Sequence, residues 1–266
     1  MITDDRRFAA LSTAEIPTVL SQDSVLVLPV GAIEPHGPHL PVSTDLTVAE
    51  AVASEAVRRA APTTDVWLLP ALGYTKSDEH ALLPGTMWLR PETFFQTIVD
   101  LGRSIAATPA RRVLFLNCHG GNSALLEVAL RELRRRFDLR TFLMSGPALP
   151  GETERGIGVH AGWAETSMML HIAPELVDMA AAEALGPQVA DAVADCSHVG
   201  FGAPGRSVKF GWLSTDLSES GVVGDPTGAT ASTGGELFEQ RVEEIVAALP
   251  EIASFVPGPP TPGGTA

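Results

Sequence analysis

The run Glu34-Pro-His-Gly-Pro-His-Leu-Pro-Val-Ser-Thr-Asp45 places two carboxylates and two imidazoles, Glu34, His36, His39 and Asp45, within twelve residues. Carboxylate oxygen and imidazole nitrogen together make a ligand set suited to zinc, manganese or iron. A lone loop histidine is usually a solvated or capping residue, and His39 on its own reads that way. The clustering is what points to metal. Another ligand candidate, His119, stands in Asn-Cys-His-Gly-Gly-Asn, residues 117–122. There Gly120 and Gly121 permit close approach of a ligand, while Asn117 and Asn122 can orient neighbours by hydrogen bonds. The glycine pair lacks the lysine of a P-loop and the third glycine of a dinucleotide fingerprint, so it does not indicate a nucleotide site. The segment Val159 to His171 adds His160, Glu165 and His171. His160, in a glycine-flanked loop, suits a general acid or base. Glu165 opens a helix and could cap it or bind metal. His171, on an apolar helix, reads as a core histidine.

Such residues need elements to hold them. Ser24 to Val30 is a short apolar run ending at Gly31, as expected of a strand buried on both faces. Val66 to Pro70, Arg112 to Asn117 and residues 141 to 145 read as further strands. Helices are expected from Leu46 to Ala60, from Pro91 to about Ala107, from Ser123 to Phe137, from near Ala164, and over about 233–248. Strand, loop and helix recur in that order, which predicts an α/β fold with a mostly parallel sheet and function at the carboxyl ends of its strands. The segment 186–232 is rich in glycine and proline with little periodicity, and is expected to build much of the substrate pocket. One domain is expected over 1–255, followed by a disordered Pro/Gly tail over 256–266.

Composition narrows the class. A hydrophobic fraction of 45% over 266 residues is ample for a buried core, and a formal net charge of -14 disfavours nucleic-acid binding. No apolar run approaches the roughly 20 residues of a membrane span, and the charged N-terminus does not resemble a signal peptide, so a cytoplasmic protein without a membrane partner is expected. Two cysteines, Cys118 and Cys196, are too few for a disulfide framework or a thiolate zinc site.

The three segments, with the later Gly-Val-Val-Gly-Asp-Pro-Thr-Gly-Ala-Thr-Ala-Ser-Thr-Gly (221–234) and the Gly-Tyr-Thr-Lys-Ser-Asp-Glu-His-Ala-Leu-Leu-Pro-Gly-Thr segment (73–86), resemble the creatininase family from about residue 25 to about 245. The resemblance implies a three-layer α/β/α sandwich, two divalent metal ions per subunit with zinc first and manganese or iron next, and a homo-oligomer, a hexamer arranged as a trimer of dimers. It implies that Glu34 and His119 hold one ion, His36 the other, and that Asp45 bridges both. Creatininase itself is read as having a carboxylate two residues after its metal-binding histidine, where this chain has Gly121. Glu165 is the candidate replacement ligand. The His-Gly-Gly-Asn branch includes formamide hydrolases acting on opened purines, the peptidase that trims the mycofactocin precursor, and hydrolases of cyclic amides.

The function expected is hydrolysis of a C–N bond in a small-molecule amide, creatinine amidohydrolase-like. Trimming of a small peptide is the alternative, and a non-catalytic metal-binding scaffold is the reading from another class. Two ions sharing one water lower its pKa from near 16 to about 7 and so supply a nucleophile at neutral pH. His160 is expected to pass a proton to the leaving amine, with Glu165 as ligand or alternative proton carrier. Glu79, His80, Gly120, Gly121 and Trp163 are expected to line the substrate site. A serine hydrolase is disfavoured by the lack of a G-x-S-x-G elbow.

Overall fold

Strand β1 (Val25–Val30) is aliphatic and buried along its whole length, which a strand can be only where helices cover both sheet faces. The computed structural model describes residues 6–146, 150–154, 156–183, 191, 194–201, 207–256 and 258. In it β1 pairs in parallel with β2 (Val66–Leu68) on one side and β3 (Arg112–Asn117) on the other, and β4 (Arg140–Ser145) adds in parallel to β3. The sheet order is β2-β1-β3-β4. A single helical turn, α1 (Ile16–Val19), precedes β1. The larger helices are α2 (Thr44–Ala60), α3 (Pro91–Ala106), α4 (Ser123–Phe137) and α5 (Trp163–Ile172). A short α6 (Ser214–Leu217) and the long α7 (Ala231–Ser254) follow.

Strand side chains alternate between faces, and the two cores follow from that alternation. Leu26, Leu28, Trp67, Val113 and Phe115 face Phe94 and Ile98 of α3 and Leu126 and Leu133 of α4. Val25, Val27, Leu114 and Leu116 face Val52, Ala56 and Val57 of α2 and Val242, Ile245 and Leu249 of α7. The result is the expected three-layer α/β/α sandwich.

Three elements differ most from the sequence reading. β2 stops at Leu68 rather than Pro70, although Leu69 and Leu72 still donate to Val27 and Pro29 carbonyls at 2.9 Å. Helix α2 begins at Thr44, so Asp45 lies in its first turn rather than in the preceding loop. Helix α7 is longer at both ends than 233–248. The Thr230 side chain caps its start by accepting from the Thr233 amide, and at the far end the helix runs through Pro250 because Leu249 and Ile252 are buried in the core. Within the poorly patterned segment the elements are short: α6, and a two-residue parallel pair, β5 (Val199–Gly200) with β6 (Val208–Lys209). Of the expected tail, 257 and 259–266 lie outside the described residues. No helix among the described residues is long and apolar enough to cross a membrane.

Candidate metal centre

The parallel register sets the site. Val30, the last residue of β1, pairs with Asn117, the last of β3, and the Cys118 amide donates to the Val30 carbonyl at 2.9 Å. The loops carrying Glu34 and His36, and His119, therefore start side by side at the carboxyl edge of the sheet. Gly31 lets the first loop lie against α2, since a Cβ there would sit 2.6 Å from Leu46 backbone atoms. That contact brings Asp45 into the same space. Its place in the first turn of α2 also suits a negative charge.

Around this point Glu34, His36, Asp45 and His119 are all buried. His119 Nδ1 lies 3.2 Å from both Glu34 Oε1 and Asp45 Oδ2. On its other oxygen, Asp45 Oδ1 lies 3.1 Å from His36 Nε2. Glu165 Oε2 stands 3.9 Å from the same His36 nitrogen. Ligand-type atoms converge within 4.8 Å in three triads: Glu34, Asp45 and His119; His36, Asp45 and Glu165; and Glu34, His36 and His160. The first two share Asp45, one carboxylate oxygen to each.

The backbone holds the two histidines of these triads in one orientation. A carbonyl can only accept, so His36 Nδ1 donates to the Glu34 carbonyl at 3.1 Å and His119 Nε2 donates to the Lys76 carbonyl at 2.9 Å. Each ring thus keeps its remaining nitrogen turned toward the carboxylates, the outer-shell arrangement usual for metal-bound histidine. Asn117 Nδ2 donates to the His119 carbonyl, and Asn122 Nδ2 to that of Gly31. Glu34 Oε2 accepts from Ser77 Oγ. Glu34 Oε1 and Asp45 Oδ2 are buried and accept no hydrogen bond, a costly state for carboxylate oxygens unless a cation meets them. The residues fit a pair of divalent ions, and the two triads sharing Asp45 form a binuclear divalent-metal site.

Charge in the cluster follows the same logic. Burial opposes ionisation of Glu34, yet His119, and beyond it His160 and His80, hold its carboxyl well below the usual carboxylate range. Burial and Glu34 likewise oppose ionisation of Asp45, but His36 and His119 keep its carboxyl lowered. In return, against the penalty of burial, Asp45 with Glu165 and Glu34 raises His36 to about 10, and Glu34 with Asp45 raises His119 well above its ordinary value. The carboxylates demand positive charge at the very nitrogens that are turned toward them. His160 behaves oppositely: burial, then His36 and His80, push it down to about 3.

Other candidates fall at graded distances from this centre. Glu165, in the first turn of α5, accepts from the Ala161 amide at 2.6 Å while also reaching the cluster, so its local bond and its approach to His36 coexist. Burial, with Asp45 and Glu34 adding and His36 opposing, pushes its carboxyl up to about 7. His160 Nε2 donates to the Pro35 carbonyl at 2.7 Å, leaving Nδ1 3.5 Å from Glu34 Oε1. His80 is buried behind Glu34, its Nε2 3.6 Å from Oε1, with its ring edge-on to Trp212. His39 is buried away from the triads and meets Thr166 Oγ1 at 2.9 Å. His171 is exposed rather than a core histidine, and packs its ring against Phe238 of α7. The Cys118 thiol is pushed up to about 12 by burial, with Asp45 adding.

A cavity of about 280 Å³ opens beside the centre, lined by His119, Gly120, His160, Trp163, Glu165 and Arg241 among others. Glu79, His80 and Gly121 do not line it. Glu79 fills the space in front of Gly121, where a Cβ would sit 2.0 Å from Glu79 Oε1 and 2.4 Å from His119 Nε2. No described residue of 186–232 lines this cavity, contrary to expectation; Trp212 and Ser214 only back the 79–80 turn. Sequence reading missed Ser77, the Lys76 carbonyl and Glu154. Glu154 is fully buried, and its Oε1 accepts from the Trp163 and Asp225 amides at 2.9 and 2.8 Å. Gly158, Gly162 and Gly224 crowd around it. Those glycines were its one trace in the sequence.

A family model described as creatinine amidohydrolase, Creatininase, matches residues 9–249. The chain belongs to the creatininase family. Within that family it is 35% identical over 243 residues to the mycofactocin precursor peptide peptidase of Mycobacterium ulcerans (strain Agy99), covering 88% of this chain and 86% of that protein. To the creatinine amidohydrolase of Pseudomonas putida it is 34% identical over 183 residues, covering 60% of this chain and 69% of that protein. A crystal structure of creatinine amidohydrolase superimposes with a TM-score of 0.72 at 25% identity, covering 96% of this chain and all of that one. With its ligand triads, this creatininase-family chain is a metal-dependent hydrolase acting on C–N bonds.

Proposed function

We propose that this creatininase-family chain hydrolyses a C–N bond of a peptide, as the mycofactocin precursor peptide peptidases are named for doing. The observation that carries this is the extent of likeness: 88% of the chain aligns with such a peptidase at 35% identity, against 60% with a creatinine amidohydrolase. Gly121, in place of the carboxylate expected of creatininase itself, and Glu165 facing His36 support the same separation. The fuller reading retains zinc first, with manganese or iron next, a cytoplasmic location, and residues 1–255 acting as one domain. It also retains a homohexamer, supported by the exposed apolar side chains Tyr74, Leu82, Met87 and Trp88. Light scattering on the purified protein tests that assembly, and a monomer would refute it.

In this reading Glu34, His119 and Asp45 would hold one ion, and His36, Glu165 and Asp45 the other. The pair supplies, when bound, a water of lowered pKa and a Lewis acid for the carbonyl oxygen. The protein's own part is orientation and proton transfer. His36 and His119 are kept in one tautomer by the Glu34 and Lys76 carbonyls. His160, fixed through Nε2 on Pro35, presents its other nitrogen, Nδ1, to take the proton that the attacking water gives up and to return it to the departing amine nitrogen. Trp163 and Gly120 wall the cavity where the substrate lies. Elemental analysis followed by a screen of short peptides, cyclic amides and formamides tests the proposal. Amine release from peptides alone is expected; release from cyclic amides alone would replace it with the creatinine-like reading, and two bound ions with no turnover would leave a scaffold.

A further inference from the structure

The cavity beside the metal centre is walled on one side by α2, α5 and α7, through Val48, Val52, Met168 and Leu237. Among its described lining residues, Arg241 of α7 is the one lysine or arginine. Its side chain is only 11% exposed. Nη1 donates outward to Glu244 Oε2 at 2.7 Å, on a side chain that is 55% exposed, while Nη2 is buried and has no hydrogen-bond partner. A buried guanidinium normally has its donors satisfied, because an unpaired one bears the full desolvation cost. A surface glutamate takes one of the five N–H donors of this one. Asn117, Ser123 and Ser145 add neutral hydrogen-bonding groups to the same lining.

We infer that Arg241 anchors a carboxylate of the substrate in this cavity. A carboxylate matches the planar fork of a guanidinium. A doubly charged phosphate is a poorer fit, since Glu154 and Glu165 line the same cavity and would repel it. The inference rests on the peptide-hydrolase reading, and it makes the preferred substrate a peptide bearing a carboxylate close to the scissile bond. That group comes either from the chain's C-terminus or from an aspartate or glutamate side chain.

The test uses the metal-loaded full chain, with Arg241→Gln and Arg241→Lys variants checked for unchanged metal content. Matched peptides differ only in a C-terminal carboxylate against an amide, or in an internal Glu against Gln. Wild type is expected to favour the carboxylate partner of one pair in KM by about 10- to 100-fold, the range of a charge-assisted hydrogen bond; which pair responds identifies the source. Arg241→Gln should bring that ratio close to one, and Arg241→Lys should restore part of it. A ratio near one in wild type, or an undiminished ratio in Arg241→Gln, overturns the inference. Binding of the same matched peptides is also followed directly by saturation-transfer NMR. Discrimination that depends on Arg241 with no peptide cleaved keeps the anchor and removes the hydrolase reading, whereas cleavage with equal binding removes the anchor alone.

Discussion

Asp45 turns one oxygen toward His36 and the other toward His119, each at about 3 Å, so its loss should act on both metal positions together. Asp45→Ala is expected to lose both ions and all turnover, measured by elemental analysis beside the rate; near-normal metal would refute the bridging role. Glu165 serves one triad only, and Glu165→Gln should cost about one ion per subunit, with an unchanged count returning it to a purely local bond with Ala161. His160→Ala should keep both ions but slow turnover by roughly 10²–10⁴, and an undiminished rate would remove it from the mechanism. Gly121 carries a less obvious expectation. Adding a glutamate there does not supply a ligand, because its Cβ would enter the space of Glu79 and the His119 ring. Gly121→Glu should therefore lower metal content, and a gain would show that Glu79 yields. The histidines and carboxylates of the two triads were legible because each sits in a short motif at a strand or helix end. Ser77 was not, since its partner lies 43 residues away, nor was Glu154, which ties the nearby Trp163 amide to that of Asp225, 71 residues off.

At the scale of elements, the four strands and five larger helices could be read because apolar periodicity and caps are local properties. The end of α7 could not. Proline argues for a stop at 248, and only the burial of Leu249 and Ile252 carries the helix onward. The tightest helix contact was equally hidden: a Cβ on Gly234 of α7 would stand 1.8 Å from the Ser167 carbonyl oxygen of α5. Since α5 carries Glu165, this approach helps set the depth of its carboxylate. Gly234→Ala should destabilise the fold by about 1–3 kcal/mol, the usual cost of overpacking. Gly235→Ala, whose new Cβ would meet only the His171 ring at 3.3 Å, should cost less. Denaturant melts of the two variants check the difference, and equal stabilities would mean that α5 and α7 slide apart easily.

For the molecule as a whole, recurring strand and helix units foretold a parallel sheet with its site at the carboxyl edge. They did not foretell the cavity wall, which α7 supplies from the far end of the chain. Nor did they tell how the late loop of His160 meets the early one. The hydrogen bond from His160 Nε2 to the Pro35 carbonyl spans 125 residues, and the triad of His36, Asp45 and Glu165 spans a similar length. An ion gripped there is a removable cross-link that closes a loop of more than 100 residues. A covalent link across about 100 residues takes roughly 4.7 kcal/mol of entropy from the unfolded chain in the simplest model. An exchangeable link instead stabilises according to the free metal concentration. Thermal melts at several free-metal levels should show Tm climbing with metal and dropping on chelation; a constant Tm would mean that the early and late segments hold together without it.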